Sequence, residues 1–212
     1  MIQALRLALV AIALVCSALA SSSATSATAS APATKSLTTL GAKLRKAGSA
    51  RVTFVRVSED PTSDTPRSET GWLELQPPGL ARLEFSRTGE KVTLRPDGGE
   101  WLQPRLHQMI TLDSLRAAAA GRWWQLLMDG HAPGIAVSPR GTRAVAFLPA
   151  GDAGPDSAVL RVDSAGLPAM LSVTDATGES RYTFSNWTFL TKRGPAAYRQ
   201  HAPPGFEVVP LP

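Results

Sequence analysis

Cysteine is all but missing. The chain has 212 residues and one cysteine, Cys16, which falls in a segment that reads as an export signal. Arg6 precedes an apolar run from Leu7 to Val15, and Ala18-Leu19-Ala20 then supplies the small-x-small pattern of a cleavage point. Cleavage near Ala20 leaves an exported mature chain in an oxidising compartment without a thiol, which excludes disulfide frameworks, cysteine nucleophiles and zinc–thiolate sites together. Ala13-Leu14-Val15 is a poor match to a lipid-attachment junction before Cys16. Long apolar runs are missing as well: the signal's run is well short of the roughly 20 residues a membrane helix needs, and no later segment reaches that length.

Histidine is scarce. His107, His131 and His201 are the three in the chain, and no pair has metal-ligand spacing. There is no His-Glu-x-x-His, no phosphate-cradling glycine loop and no Gly-x-Ser-x-Gly elbow. Ser172, Asp175 and His201 can be written down as a triad, but any serine-rich domain allows that. Asp97, Asp163 and Asp175 sit beside glycine without the alternating oxygen ligands of a calcium loop, so turn chemistry explains them. The sequence therefore predicts no catalytic residue, no metal and no cofactor. The formal charge of +5 comes from scattered basic residues with no aromatic-basic stripe, which argues against nucleic acid and for a solvated surface, with attraction to acidic partners or anionic lipid as the second reading.

What the chain does have is punctuated alternation. Residues 21–35 are almost all Ser, Ala and Thr and read as a flexible leader. A helix capped by Ser36 follows, with Leu37, Leu40 and Leu44 at helical spacing, and opens a single domain over 36–212. The period then changes to two in Val52–Val57, Trp72–Leu75, Arg82–Phe85 and Lys91–Arg95, and later in Ala144–Leu148, Ala158–Val162, Met170–Thr174 and Arg181–Trp187. Pro77-Pro78-Gly79, Arg87-Thr88-Gly89, Pro96-Asp97-Gly98-Gly99, Asp163–Gly166 and Asp175–Gly178 mark turns. Leu112 to Met128 is the exception, rich in Ala and Leu, with Gly121 expected to break it into two short helices. Many short antiparallel strands with a helical insertion predict a curved, partly closed sheet whose concave side is filled by side chains or by a ligand. Alternation alone leaves both open.

The order of these pieces resembles the periplasmic outer-membrane lipoprotein carrier (LolA) family. Phe54-Val55-Arg56 corresponds to its early Phe-x-Gln strand, and Gly71-x-Leu73 with Pro78 to its Gly-x-Leu strand and proline turn. Asp97-Gly98 with Trp101 matches its Asp-Gly turn and Leu-Trp strand, and Leu106–Met109 the lead into the central helices. Asp175-x-x-Gly178 precedes a late strand, and Pro203-x-Gly205-x-x-Val208 resembles its closing motif. Arg56 stands where the family usually has Gln, Pro77 where many members place an arginine tied to lid closure and release, and Gln103 where an aromatic is usual. The resemblance is to a divergent member. It implies an incomplete antiparallel barrel of roughly eleven strands, mainly β with α, under a lid of short helices. Its implied function is a monomeric carrier that takes acylated lipoproteins or a lipid-like cargo from a lipoprotein-releasing ABC transporter of the inner membrane to an outer-membrane acceptor. The expected cavity wall is Phe54, Leu73, Leu75, Leu83, Phe85, Val92, Leu94, Trp101, Phe147, Met170 and Val173; the expected lid is Leu112, Leu115, Trp123, Trp124 and Leu127. A closed core uses the same residue types. The same half-barrel could instead serve as a periplasmic sensor or, less favoured, as an enzyme acting on a hydrophobic small molecule.

Overall fold

Period-two alternation builds one sheet. The computed structural model describes residues 32–59, 65–131, 134–140, 144–149, 157–175 and 178–211; the expected export signal and residues 21–31 of the expected leader lie outside them. The strands are β1 (Gly48–Ser58), β2 (Arg67–Gln76), β3 (Leu80–Phe85), β4 (Lys91–Arg95), β5 (Gly98–Gln103) and β6 (Gln108–Leu112). After the helical insertion come β7 (Ile135–Pro139), β8 (Ala144–Pro149), β9 (Ser157–Val162), β10 (Pro168–Asp175), β11 (Gly178–Thr191) and β12 (Glu207–Pro210). They form a 12-stranded sheet in the order β12-β6-β5-β4-β3-β2-β1-β11-β10-β9-β8-β7. Neighbours are antiparallel except β12, which runs parallel to β6. β12 and β7 remain edges, so the sheet is an incomplete barrel with one more strand than expected.

Two helices cover the concave side. The first, α1 (Pro32–Ala47), starts four residues before the expected cap at Ser36, inside the segment read as leader. It buries Leu37, Leu40 and Leu44, each contributing about 1.5–3 kcal/mol. The second, α2 (Ser114–Asp129), is a single helix and corrects the expected break at Gly121. Asp113 caps its start by accepting a hydrogen bond from the Arg116 N–H, and Gly130 ends it in the left-handed region at φ 75°. A mid-helix glycine costs only about 1 kcal/mol relative to alanine, and the buried Trp124, Leu126, Leu127 and Met128 that follow outweigh it. The helices touch closely: a Cβ on Gly41 would lie 2.7 Å from the Met128 carbonyl oxygen, so this crossing requires glycine. Among the described residues no helix is long and apolar enough to cross a membrane.

The convex side corrects the reading of its charges as simply solvated. Glu74, Thr93 and Arg95 alternate outward yet are buried, because residues 193–200 cross this face as a strap. The fully buried Tyr198 donates from its hydroxyl to Glu74 Oε1 at 3.0 Å, while its carbonyl accepts from Arg95 at 2.9 Å. Burial and the facing Glu74 carboxylate push the Tyr198 hydroxyl well up, so it stays a donor. Arg95 grips Glu100 through two hydrogen bonds of 2.6 and 2.8 Å. Burial pushes the Glu100 carboxyl up, but hydrogen bonds from Arg95 and Thr93 outweigh it and hold it below its ordinary range.

Two outcomes follow from these contacts. Gly121→Ala should raise stability by up to about 1 kcal/mol in urea unfolding, since its Cβ would meet only Leu94 Cδ1 at an ordinary 3.6 Å. Glu100 has a lowered folded pKa, so its contribution is present above about pH 4.3 and fades as pH falls through the folded value. Glu100→Gln should therefore cost about 1–3 kcal/mol at neutral pH, and that gap should close in stability measured as the pH is lowered below 4.

Candidate functional site

The concave side is divided in two. Under α1 and the C-terminal half of α2 it is solid, with Leu126, Leu127 and Met128 packed in one core with Val52, Leu75, Phe147 and Leu160. Under the N-terminal half of α2 an open cavity of about 610 Å³ remains. Its floor is Leu83 and Phe85 from β3, Val92 and Leu94 from β4, Trp101 from β5 and Leu112 from β6. Val173 from β10 and Tyr182 from β11 form the far wall, and Leu211 lies beyond β12. The roof is a helical stripe of Arg116, Ala119, Ala120, Trp123 and Trp124 at spacings of three and four. Ala119 and Ala120 cover the trough with methyl groups too short to fill it.

Six of the eleven expected wall residues line this cavity: Leu83, Phe85, Val92, Leu94, Trp101 and Val173. Phe54 stands directly behind the wall, edge-on to Phe85 at 5.5 Å and to Tyr182 at 5.6 Å. Leu73, Leu75 and Phe147 are fully buried in the solid core instead. Met170 faces the other way, beside Arg161, Ser172 and Arg181 in an outer groove. It is three residues from Val173, and residues an odd number apart in a strand point to opposite faces.

Of the expected lid, Trp123 and Trp124 hang from α2 into the cavity, while Leu112 reaches it from β6, ahead of the helix. Leu127 is core, at 0% exposure, and Leu115 is 81% exposed in the first turn of α2.

The polar lining was not anticipated. Arg56, Glu90, Arg116, Arg122, Asp175 and Ser180 all border the cavity. Continuing the parity of Leu171 and Val173 to Asp175 points to one of them. The roof stripe from Arg116 to Trp123 was also legible, once the helix is not cut at Gly121. Glu90 accepts from the Trp101 indole at 3.1 Å and Arg116 is held by Asp113. Arg122 lies over the Trp123 ring at 4.9 Å, a cation–π contact. Burial in the wall pushes the Tyr182 hydroxyl up, and the nearby Arg56 guanidinium opposes that shift.

No family model and no curated protein matches the chain. Among solved structures it is similar to an uncharacterized conserved protein from Thermus thermophilus, with 12% identity, 83% of this chain and 99% of that chain covered and a TM-score of 0.46. It is also similar to a LolA superfamily protein from Nitrosomonas europaea, with 8% identity, 77% and 97% covered and a TM-score of 0.40. A DUF1329 family protein from Desulfovibrio piger is a third, with 8% identity, 80% and 98% covered and a TM-score of 0.42. Likeness at this level says nothing of function, which rests on the cavity.

Nothing in the described residues assembles a reaction centre. His107, His131 and His201 are exposed, and His107 packs edgewise on Phe206 at 5.5 Å. Ser172 lines the outer groove and Asp175 the inner cavity, so the imagined triad lies on opposite faces of the sheet. Asp97 and Asp163 serve turns: Asp97 pairs with Arg95 and Arg199, and Asp163 accepts from the Leu167 N–H at 2.8 Å. No group of three or more His, Cys, Asp or Glu among the described residues could hold a metal.

The division between core and roof has a direct test in unfolding experiments. Leu127→Ala should cost about 2–5 kcal/mol, and Leu115→Ser should stay within about 0.5 kcal/mol of the parent.

Proposed function

We propose that this protein is a non-enzymatic periplasmic carrier that shields one long acyl chain in the cavity beneath α2. The observation that carries this reading is an open, mostly apolar trough of about 610 Å³ roofed by small alanines. A closed core would have filled that space, because interiors pack to crystal-like density. A cavity of about 150 Å³ holds one benzene, so 610 Å³ is room for one long chain rather than for the several chains of a lipoprotein. The volume favours a lipid-like cargo, or one chain of an acylated protein, over a fully enclosed lipoprotein.

The physical need is plain. Each methylene left in water costs about 0.8 kcal/mol, so a long chain costs on the order of 10 kcal/mol unless it is shielded. A carrier that matched the bilayer closely would bind and still release. Direction would then come from work at a donor and a better site at an acceptor, and the resemblance implies a lipoprotein-releasing ABC transporter and an outer-membrane receptor in those roles. No nucleotide site is needed for this.

Ala120 lines the trough and its side chain is exposed, so a larger side chain there should occupy the cavity without disturbing the core. Ala120→Phe should weaken uptake of a fluorescent acyl probe by about tenfold or more, on the scale of the apolar area it displaces, with an unchanged unfolding midpoint. A parent protein that takes up no acyl probe would remove the carrier reading.

A further inference from the structure

Arg56 is a guanidinium built into an apolar wall with little to hold. It leaves β1 toward the cavity and lies over the Phe85 ring at 5.6 Å. Glu69 Oε2 is 3.9 Å away, beyond hydrogen-bond reach, and the other oxygen of that carboxylate bonds Arg67 at 2.7 Å. Its Nε is buried with no hydrogen-bond partner among the described residues. A guanidinium carries five donors in a fixed fork suited to carboxylate or phosphate, and Tyr182, its cross-strand neighbour, can engage only part of that capacity. The side chain is half-buried, with its guanidinium at the open cavity, so the donors it does not use are reachable by a ligand that enters there.

Several polar groups border the cavity with Arg56. The lining carries three guanidiniums, Arg56, Arg116 and Arg122, and two carboxylates, Glu90 and Asp175, while Glu69 and Asp113 face Arg56 and Arg116 from outside it. Arg116 is tied to Asp113, and Glu90 to the Trp101 indole on the opposite side. Ser180 and Tyr182 border the same end of the cavity as Arg56 and offer hydroxyls. Arg56 is also where the chain departs from the glutamine of the carrier pattern it resembles.

We infer that the cargo is an anionic amphiphile, its chain in the trough and its carboxylate or phosphate bound by the fork of Arg56. This rests on the carrier reading and narrows it: a fatty acid and a phosphorylated lipid share the chemistry that Arg56 recognises.

Calorimetric titration with dodecanoate, dodecyl phosphate and dodecanol separates the possibilities, since the three share one chain length. The parent should bind at least one anionic probe about 10- to 100-fold more tightly than dodecanol, the range of a charge-assisted hydrogen bond. Arg56→Gln should abolish that preference, and Arg56→Lys, which keeps charge but not the fork, should retain part of it. Preference for dodecanoate identifies a fatty-acid class of cargo, and preference for dodecyl phosphate a phospholipid class; both support the inference. Equal binding of all three to the parent overturns it and leaves the carrier reading standing, a comparison that needs no variant to fold. Failure of all three to bind removes the carrier reading and the inference with it.

Discussion

Burial of Leu126, Leu127 and Met128 between α1 and the sheet is the constraint on which the rest depends. It anchors the C-terminal half of α2, and a rigid helix then carries its N-terminal half out over the sheet. Gly41 permits the approach, because any side chain there would strike the Met128 carbonyl. The helix is thus half core and half roof. The roof needs few contacts of its own, which is why Ala118, Ala119 and Ala120 can be exposed in a helix whose far end is largely buried.

The two faces of the sheet are stabilised by different physics. The concave face is mostly apolar and its packing is non-directional, so most of it can stay unfilled at little polar cost, with Arg56 the exception. The convex face is held by a strap of directed bonds: Tyr198 to Glu74, Arg95 to Glu100 and to the Tyr198 carbonyl, and the Gln76 amide to the Arg193 backbone. Such a network fixes register and curvature where the strap crosses β2 to β5. A cavity that must keep its shape while empty gains from a rigid back.

Much of this was legible in the sequence. Alternation found eight strands, the leucine spacing found α1, and the glycine-marked turns fell where the chain reverses. Alternation did not single out β5, β6, β7 or β12, and β12 is defined only by its parallel pairing with β6. Gly121 was misleading because its local cost is small beside the burial of the residues after it. Cutting the helix there hid the Arg116–Trp123 stripe. Alternation also cannot reveal a strap contributed by residues 193–200, so Glu74 and Arg95 looked solvated. Within the wall, strand parity separates Met170 from Val173, but nothing local separates Phe147, sealed under α1, from Phe85, open to the cavity. That difference is set by where the helices lie.

Three tryptophans, Trp101, Trp123 and Trp124, line the trough, so a heavy-atom quencher on the chain of the cargo reports directly on occupancy. Titration with a dibrominated stearate should quench most of the tryptophan fluorescence saturably at one chain per protein, and added unlabelled stearate should reverse it. Quenching that rises linearly without saturation, as it does for a free indole in solution, would contradict the claim that the space beneath α2 receives an acyl chain.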